Sequence, residues 1–385
     1  MQKTDIAIIG GGIAGLWLLN LLTDRGYSVV LLEKKALGAG QTMASQGLIH
    51  GGIKYTLDGF LSDASETIAA MPSRWKACLR GKGTLNLTGV KTLSEDYFLF
   101  SDGSLTSKIT AFFGSRAIEG RAVAVEKTDL PGILGDSRFK GLVYKLEDFV
   151  IDTPSLVKKL SLPHLDKIYT GEFDLSVSEG EIRKIQLTDG RDLCARKYIL
   201  AAGRGNGELI NLLGLPVNMQ LRPLKQVIVY GQKLPEVYGH AVNLKTGNKP
   251  NLTITTHYLL GNTNCWYLGG QLAETGVNLT DKAQVEQAKY ELHNLLPWVN
   301  FANCSFKTYD IERAEPSQKD EKMPGKPYAK EFGNSILCWP TKLTLAPLLG
   351  DMVVDLIKFS PSAERDAEFS DGVIIANTPW DLGDR

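Results

Sequence analysis

The chain has 385 residues, and its 43 basic and 43 acidic side chains give a formal net charge of zero, which excludes a strong global field for attracting nucleic acid. Its composition, 43% hydrophobic and 22% charged, is that of a globular protein able to bury a core, and its length predicts two domains or one large domain with an insertion. The five scattered cysteines form no C-x-x-C pair, which argues against a zinc site or a disulfide framework and favours a reducing, intracellular compartment.

The first 35 residues predict one βαβ unit. The run DIAIIG (5–10) predicts a buried strand, AGLWLLNLLTDRG (14–26) predicts a helix, and YSVVLLE (27–33) predicts a second buried strand. Because both strands are continuously apolar, we expect a parallel sheet covered on both faces. Glycines interrupt this apolar stretch and Asp24–Arg25 ends it, so we interpret it as part of the fold and not as a signal peptide or membrane helix.

Helical and strand-like patterns alternate along the rest of the chain. The predicted helices are 58–80, 104–115, 152–161, 281–296 and 342–358. The strand-like segments are 90–100, 181–203 with a hairpin turn at Asp189–Gly190, and most of 217–275. Two segments rich in turn-forming or polar residues predict loops, namely 38–56 and 313–330.

The glycines between the first strand and the first helix match a dinucleotide-binding fingerprint. Residues 10–15 read G-x-G-x-x-G, and Glu33 ends the next strand 18 residues after Gly15. Gly10 would make the tight turn, Gly12 would let the backbone approach a pyrophosphate at the helix N-terminus, and Gly15 would allow close helix–strand packing. Glu33 would accept hydrogen bonds from ribose hydroxyls and repel a 2′-phosphate, which argues against NADP. The alternative is a tight turn in an α/β protein that binds no nucleotide.

Further segments resemble the D-amino-acid-oxidase-like flavoproteins, the superfamily of glycine oxidase and glycerol-3-phosphate dehydrogenase, whose members all fit the N-terminal fingerprint. GLIHGGIKY (47–55) looks like the LIHGGLRYL segment of FAD-dependent glycerol-3-phosphate dehydrogenases and is similar to the GVIHAGIYY segment of L-2-hydroxyglutarate oxidases. TKLTLAP (341–347) resembles the GGKLTT segment of the former and the LAP segment of the wider family. KYILAAGRG (197–205) resembles the second adenosine-side segment of FAD-containing oxidoreductases. The resemblance therefore implies FAD, not NAD, as the cofactor.

The resemblance also implies a fold. It is an α/β chain (α+β overall), with a Rossmann-like FAD-binding domain and an inserted, mainly antiparallel β-sheet substrate domain. The discontinuous FAD-binding domain would consist of residues 1–85, 145–215 and 331–385, and the substrate-binding domain of residues 86–144 and 216–330.

The same resemblance implies cofactor contacts. Lys342 would stabilise negative charge on the reduced flavin, with the N–H groups of Leu343 and Thr344 adding the helix dipole; alternatively it is a solvated loop lysine. Pro340–Thr341 replaces the two glycines that the dehydrogenases have before this lysine. The glycines of 47–55 predict a backbone pressed against the flavin. The expected cofactor-binding residues are Gly10, Gly12, Ile13, Ala14, Gly15, Glu33, Lys34, Thr42, Ser45, Gly47, Leu48, His50, Ala202, Gly203, Lys342, Leu343 and Thr344.

Two histidines are candidates for the catalytic base. His50 lies in the glycine-rich segment, and His257 lies in a strand that would roof the flavin. Either imidazole could take a hydroxyl proton near neutral pH, and the alternative for each is a structural role. We expect no metal site.

Three cations are candidates for holding an anionic substrate: Lys54, Arg222 and Arg313. Arginine is the better planar partner for a carboxylate, and Arg313 lies near where the family often places a substrate arginine. Its alternative is a surface salt bridge with Glu312 or Glu315. Lys54 stands where glycerophosphate dehydrogenases have arginine, a departure that argues against glycerol 3-phosphate itself.

Together these features predict an FAD-dependent oxidoreductase that takes a hydride from a small anionic 2-hydroxy acid or polyol phosphate. One alternative is oxidation of an amine or amino acid on the same fold, and another is a flavin-binding protein without turnover. A flavin-assisted tRNA-modifying enzyme is disfavoured by the neutral charge. The expected partners are the substrate and an electron acceptor (oxygen, quinone or a protein), without nucleic acid. We expect a cytoplasmic protein with no integral membrane segment; peripheral membrane association stays open.

Overall fold

The structure is a computed structural model, and it describes residues 2–53, 68–101, 121–242, 250–259, 263–319, 323–362, 368–369 and 372–381. The α-helices, in chain order, are α1 (Ile13–Thr23), α2 (Met71–Leu79), α3 (Thr153–Ser161), α4 (Asn206–Leu213), α5 (Gln271–Thr275), α6 (Asp281–Leu295) and α7 (Ala346–Leu356). The strands are β1 (Gln2–Ile9), β2 (Val29–Glu33), β3 (Leu48–Ile49), β4 (Thr92–Ser94), β5 (Tyr97–Ser101), β6 (Ala122–Ala124), β7 (Val143–Leu146), β8 (Phe149–Ile151), β9 (Ile168–Thr170), β10 (Phe173–Ser178), β11 (Glu181–Leu187), β12 (Asp192–Leu200), β13 (Met219–Tyr230), β14 (Tyr238–Val242), β15 (Leu252–Tyr258), β16 (Asn264–Gly269), β17 (Ser305–Pro316), β18 (Tyr328–Phe332) and β19 (Ser335–Trp339).

The first sheet is built around β1, which pairs in parallel with both β2 and β12. Its order is β10-β11-β12-β1-β2-β9, with β19 also paired to β12 and β18 to β19. Successive residues of β1 enter two different apolar cores, Ile6 and Ile8 on one face and Ala7 and Ile9 on the other. Both faces of the sheet are therefore covered, as the continuously apolar strands predict, and the mixed α/β class is confirmed.

The second sheet is mainly antiparallel and has the order β17-β13-β16-β15-β14-β5-β7-β6. Its parallel step joins β14 to β5. A small third sheet, β3-β8-β4, supports the short strand that leads into His50. The two large sheets draw on separate parts of the chain, and the domain boundaries given above stay a proposal built on that division.

Local signals explain where several helices begin. Asp152 precedes α3 and its carboxylate accepts a hydrogen bond from the N–H of Ser155 at 2.8 Å, as expected for the capped helix at 152–161. Thr280 caps α6 in the same way, through the N–H of Ala283 at 3.3 Å. At α1 the N-cap is Gly12, which has no side chain to satisfy the first N–H groups.

The loop predicted for 313–330 is wrong at both ends. The strand β17 continues to Pro316 and β18 begins at Tyr328. The charged and proline residues of 313–316 suggested a loop, but a continuous ladder with residues 219–222 of β13 holds them extended. Proline is tolerated there because β17 is the edge strand and Pro316 its last residue. The helix predicted at 104–115 and the first part of the one at 58–80 lie outside the described residues; the second part contains α2.

Candidate functional site

A cavity of about 860 Å³ lies between the carboxyl ends of β1 and β12 and the face of the second sheet that β13 and β17 present. This volume is at the upper end of the range of ligand pockets, roughly 300–1,000 Å³, so it has room for a large cofactor and a small substrate. Many of the expected cofactor residues line it: Gly10, Gly12, Ile13, Ala14, Glu33, Thr42, Ser45, Leu48, His50, Ala202, Gly203, Lys342 and Leu343.

Some expected cofactor residues lie outside the cavity wall. Gly15 and Thr344 are buried behind it, and each supports a residue that lines it, as described below. Lys34 pairs with Glu172 at 3.5 Å on the surface. Gly47 has a φ of +68° and an added Cβ would lie 2.0 Å from the carbonyl oxygen of Ile151. The backbone that requires a glycine at 47 is therefore strand β8, and not the cavity.

The glycine loop combines three different constraints. Gly10 has a φ of +115°, and an added Cβ would lie 2.6 Å from the carbonyl oxygen of Ala201. At Gly15 an added Cβ would lie 1.9 Å from the carbonyl oxygen of Gly10. At Gly12, by contrast, an added Cβ would meet only the Thr42 hydroxyl, at 3.2 Å, and would otherwise enter the cavity. The loop is thus packed tightly from behind and open in front, which fits a pyrophosphate lying against it.

Side chains around the loop fix the start of α1. Glu33 Oε2 accepts a hydrogen bond from the N–H of Gly11 at 2.7 Å, and its Oε1 accepts one from the N–H of Lys35 at 2.9 Å. Thr42 Oγ1 accepts from the N–H of Ile13 at 3.0 Å. Because a carboxylate has about four lone-pair sites, Glu33 retains acceptor capacity toward the cavity for ribose hydroxyls.

His50 is buried in the cavity wall and its backbone is held from both sides. The Thr344 hydroxyl lies 3.3 Å from the backbone nitrogen and 3.3 Å from the carbonyl oxygen of His50. The next N–H, that of Gly51, donates to Asp148 Oδ1 at 2.7 Å, and the Asp148 carboxylate is itself buried. These contacts fix the backbone from which the His50 side chain reaches the cavity wall.

The turn before Lys342 carries backbone strain. Thr341 has a φ of +61°, a conformation rare for a β-branched residue, and the N–H of Lys342 bonds the carbonyl of Pro340 at 2.7 Å across it. Thr341 therefore adopts the left-handed conformation that a glycine would adopt freely. The Lys342 ammonium donates to the carbonyl of Pro324 at 2.8 Å.

Arg222 and Arg313 lie directly opposite each other on β13 and β17, but their surroundings differ. Arg222 Nε donates to Glu315 Oε1 at 2.6 Å, and this carboxylate is buried. Arg313 lies in the cavity wall, with its Nη2 3.9 Å from Glu274. The alternative partners expected for Arg313 are engaged elsewhere, Glu315 by Arg222 and Glu312 by the exposed Arg204 at 2.5 Å. Lys54 lies outside the described residues.

His257 is not in the cavity wall. Its ring stacks on Trp380 with a centroid distance of 3.9 Å, and its Nε2 shares a hydrogen bond of 2.9 Å with the Thr255 hydroxyl. Burial lowers the pKa of His257 to about 3, so the ring is neutral at physiological pH. Because the structure does not bring it to the cavity, His257 is not placed to take a proton from a substrate bound there.

Two glutamines that sequence reasoning missed line the cavity, Gln46 and Gln226. Gln46 Nε2 donates to the carbonyl of Tyr267 at 2.8 Å, which links the glycine-rich segment to the second sheet. A signal was present for both residues. Gln46 lies within the segment already singled out, and Gln226 lies four residues after Arg222 on β13, hence on the same face of the strand.

No helix among the described residues is long and apolar enough to cross a membrane.

The chain is similar in both sequence and structure to a known oxidoreductase. The chain is 44% identical over 353 residues to the probable FAD-dependent oxidoreductase PA4991 of Pseudomonas aeruginosa, covering 91% of this chain and 90% of that protein. The crystal structure of PA4991 superposes with a TM-score of 0.83 at 37% identity, covering 99% of this chain and 98% of the other. Because the superposition covers nearly the whole of both chains, it includes both large sheets.

More distant proteins match either a short segment of the chain or its fold alone. Aerobic glycerol-3-phosphate dehydrogenase of Escherichia coli is 42% identical over 55 residues, which are 14% of this chain and 11% of that protein. Glycine oxidase from Geobacillus kaustophilus has a TM-score of 0.65 at 16% identity, covering 97% of this chain and all of the other, and so shares the fold.

A family model, DAO (FAD dependent oxidoreductase), matches residues 5–306. That match includes the glycine loop, Glu33 and the His50 segment, whose geometry fits a dinucleotide as described above. It confirms the prediction of an FAD-dependent oxidoreductase. The chain therefore belongs to the DAO family of FAD-dependent oxidoreductases.

Proposed function

We propose that the enzyme oxidises a small anionic substrate at a carbon that bears a hydroxyl group, as in a 2-hydroxy acid or a polyol phosphate. The observation that carries this proposal is that one cavity has both His50 and Arg313 in its wall, together with the glycine loop. A cation and an imidazole in the same cavity provide the two functions that such a substrate requires, an anion contact and a proton acceptor.

Arg313 is proposed to bind the acidic group of the substrate. Its guanidinium is planar and remains charged, so it can pair with a carboxylate or a phosphate through two parallel hydrogen bonds. Arg222 is less suited because the buried carboxylate of Glu315 already holds its Nε at 2.6 Å.

His50 is proposed to accept the hydroxyl proton of the substrate. Its backbone is fixed by the Thr344 hydroxyl, so the imidazole keeps its place as the substrate binds. Imidazole is the side chain most often used as a general base in catalysis.

The cofactor contacts are proposals as well. The glycine loop would bind the pyrophosphate at the start of α1, Glu33 would bind the ribose, and Lys342 with Leu343 would contact the flavin end. Bound FAD would supply the acceptor for the substrate hydride.

The proposal is tested by anaerobic mixing of the holoenzyme with a panel of substrates. The hydroxyl members are glycolate, L-lactate, L-2-hydroxyglutarate and glycerol 3-phosphate, and the amine members are glycine, sarcosine and L-proline. We expect loss of the oxidised-flavin absorbance with at least one hydroxyl member and with none of the amines. Bleaching by amines alone would contradict the proposal.

Oxidation of an amine is the second candidate, and the placement of Gln46 favours it. Its Nε2 faces the carbonyls of Tyr267 and Thr253, which only accept hydrogen bonds, so the orientation of the amide is determined. Its Oε1 fills the space in front of Gly269, where an added Cβ would lie 2.9 Å away. Gln46 lines the cavity, so its amide oxygen would accept a hydrogen bond from the N–H group of an amine if the side chain turned toward the substrate, and glycine oxidase shares the fold.

A further inference from the structure

The C-terminal residues 372–381, here called the C-terminal strap, contact both sides of the cofactor cavity from outside. At one end the strap meets Leu37, whose N–H donates to the carbonyl of Ile374 at 2.8 Å and whose carbonyl accepts from the N–H of Ala376 at 3.0 Å. These bonds form an isolated parallel bridge between Leu37 and Ile375. This end of the strap is thereby fixed to the segment that follows β2.

Leu37 transmits this contact to the glycine loop. Its side chain is fully buried, and an added Cβ on Gly11 would lie 2.5 Å from Leu37 Cδ2. The next residue, Gly38, donates its N–H to the carbonyl of Gly11 at 2.8 Å. Leu37 therefore packs directly behind the loop that fits the pyrophosphate.

At its other end the strap inserts Trp380 against the second sheet. The Trp380 ring is buried, stacks on His257 at 3.9 Å and makes an edge contact with Tyr267 at 5.3 Å. Its carbonyl accepts a hydrogen bond from the Tyr230 hydroxyl at 3.1 Å. A hydrogen bond of 2.6 Å from the Thr378 hydroxyl to Asp381 closes the turn that presents the ring.

The two rings that Trp380 contacts hold the segment 44–46 of the cavity wall. The Tyr267 hydroxyl, which also contacts Gln226 Oε1, lies 3.1 Å from the carbonyl oxygen of Ala44, and the Tyr267 carbonyl accepts from Gln46 Nε2 at 2.8 Å. His257 bonds the Thr255 hydroxyl, which lies 3.2 Å from the same amide nitrogen. Ala44 and Gln46 both line the cavity.

We propose that the C-terminal strap holds the FAD cavity in its binding geometry and that Trp380 is a positioning residue for the cofactor. One end of the strap supports the glycine loop through Leu37. The other end supports segment 44–46 through His257 and Tyr267. Since none of the strap residues 372–381 lines the cavity, the effect of the strap on the cofactor passes through these three residues.

The test uses the purified holoenzyme of the full chain and measures release of FAD after dilution, by the fluorescence of the free flavin. In Trp380→Ala we expect the FAD dissociation constant to rise about tenfold. Trp380→Phe keeps an aromatic ring over His257 and should recover most of the affinity. Urea unfolding of each variant measures its stability separately.

The matched control is Trp298→Ala. Trp298 is partly buried against the core of the second sheet, where it packs on Phe139 at 6.0 Å and donates to the carbonyl of Ile133 at 2.9 Å, and it lies outside the cavity wall. This control should lower stability and leave the FAD dissociation constant unchanged. Equal losses of FAD affinity in the Trp298 and Trp380 variants would show a purely structural role and overturn the proposal.

A milder variant covers the case in which Trp380→Ala does not fold. Tyr230→Phe removes only the hydrogen bond to the Trp380 carbonyl, and we expect FAD to be released about threefold more readily. Wild-type affinity in Tyr230→Phe, with Trp380→Ala either unfolded or also binding FAD normally, would overturn the proposal.

Discussion

The hydroxyl of Thr344 lies 3.3 Å from the backbone nitrogen and 3.3 Å from the carbonyl oxygen of His50, although 294 positions separate the two residues in the chain. Thr344 belongs to the short 3₁₀ turn Leu343–Leu345 that precedes α7, and its own carbonyl accepts from Trp75 Nε1 at 2.9 Å. Two of the segments that carry the family resemblance, 47–55 and 341–347, are therefore joined at one buried hydroxyl, directly behind the proposed base.

Thr344→Val should impair catalysis more than folding. Valine has the shape of threonine but leaves the buried N–H of His50 without its hydroxyl acceptor, at a cost of about 1–3 kcal/mol. We expect slower flavin reduction because the His50 segment loses its fixed position. Stopped-flow reduction rates measure this effect, and Thr344→Ser, which keeps the hydroxyl, should retain most of the wild-type rate. A valine variant with wild-type kinetics would remove Thr344 from this role.

Arg313→Met should raise the KM for the anionic substrate strongly. The substrate should lose about 2–4 kcal/mol of binding free energy, because the lost contact is a charge-assisted pair in a cavity. Arg313→Lys keeps the charge without the planar guanidinium, so its KM should lie between those of the wild type and of Arg313→Met. Steady-state kinetics with the best member of the substrate panel measures both variants. The proposed anion site would be wrong if Arg313→Met left KM unchanged.

Alanine substitutions should separate the roles of Gly12 and Gly15. In Gly12→Ala the new methyl group enters the cavity and meets only the Thr42 hydroxyl, so the fold should persist while FAD binding weakens. In Gly15→Ala the methyl group would lie 1.9 Å from the carbonyl oxygen of Gly10, so the fold itself should be destabilised by several kcal/mol, about 3 or more. Urea unfolding and FAD titration distinguish the two outcomes. Equal destabilisation by both changes would contradict this division of roles.

Thr341→Gly should stabilise the protein by about 1 kcal/mol. A β-branched residue at a φ of +61° stores about 1–3 kcal/mol of strain, and glycine relieves it at an entropic cost of about 0.5–1 kcal/mol. The matched variant is Glu179→Gly, which replaces the other described residue that has a positive φ without being glycine, in a surface hairpin away from the cavity. Urea unfolding should show a gain in both variants, and a loss of stability in Thr341→Gly would refute the strain argument.

His257 should make the protein more sensitive to acid. Its pKa is about 3 in the folded state and about 6.5 when unfolded, so below pH 6.5 the unfolded state binds a proton that the folded state does not. The free energy of unfolding should therefore fall by about 1.4 kcal/mol per pH unit from this group as the pH decreases from about 6 to about 3.5. His257→Gln removes the titration, so its stability should have a shallower slope over pH 4–6. Parallel slopes would show that His257 is protonated in the fold.

The parts of the fold that could be predicted from sequence depend on local constraints. The βαβ unit follows from apolar runs and from the glycines at 10 and 15. In the structure, a Cβ added at either position would collide with backbone atoms, so both positions require glycine. The capped helix α3 follows from Asp152 and the proline after it. The strand at 313–316 could not be predicted, because the ladder with β13 that holds it extended comes from residues about 90 positions away.

The sequence by itself determined the α/β class, the dinucleotide loop and a set of site candidates, since apolar periodicity and glycine geometry act within a few residues. Only the tertiary structure decided which candidates meet. In the folded chain His50 and Arg313 line one cavity, Glu315 forms an ion pair with Arg222, and His257 is buried and stacks on Trp380. The physical reason is that burial, ion pairing and stacking depend on which distant residues are brought close together, and that proximity arises from packing of the two sheets.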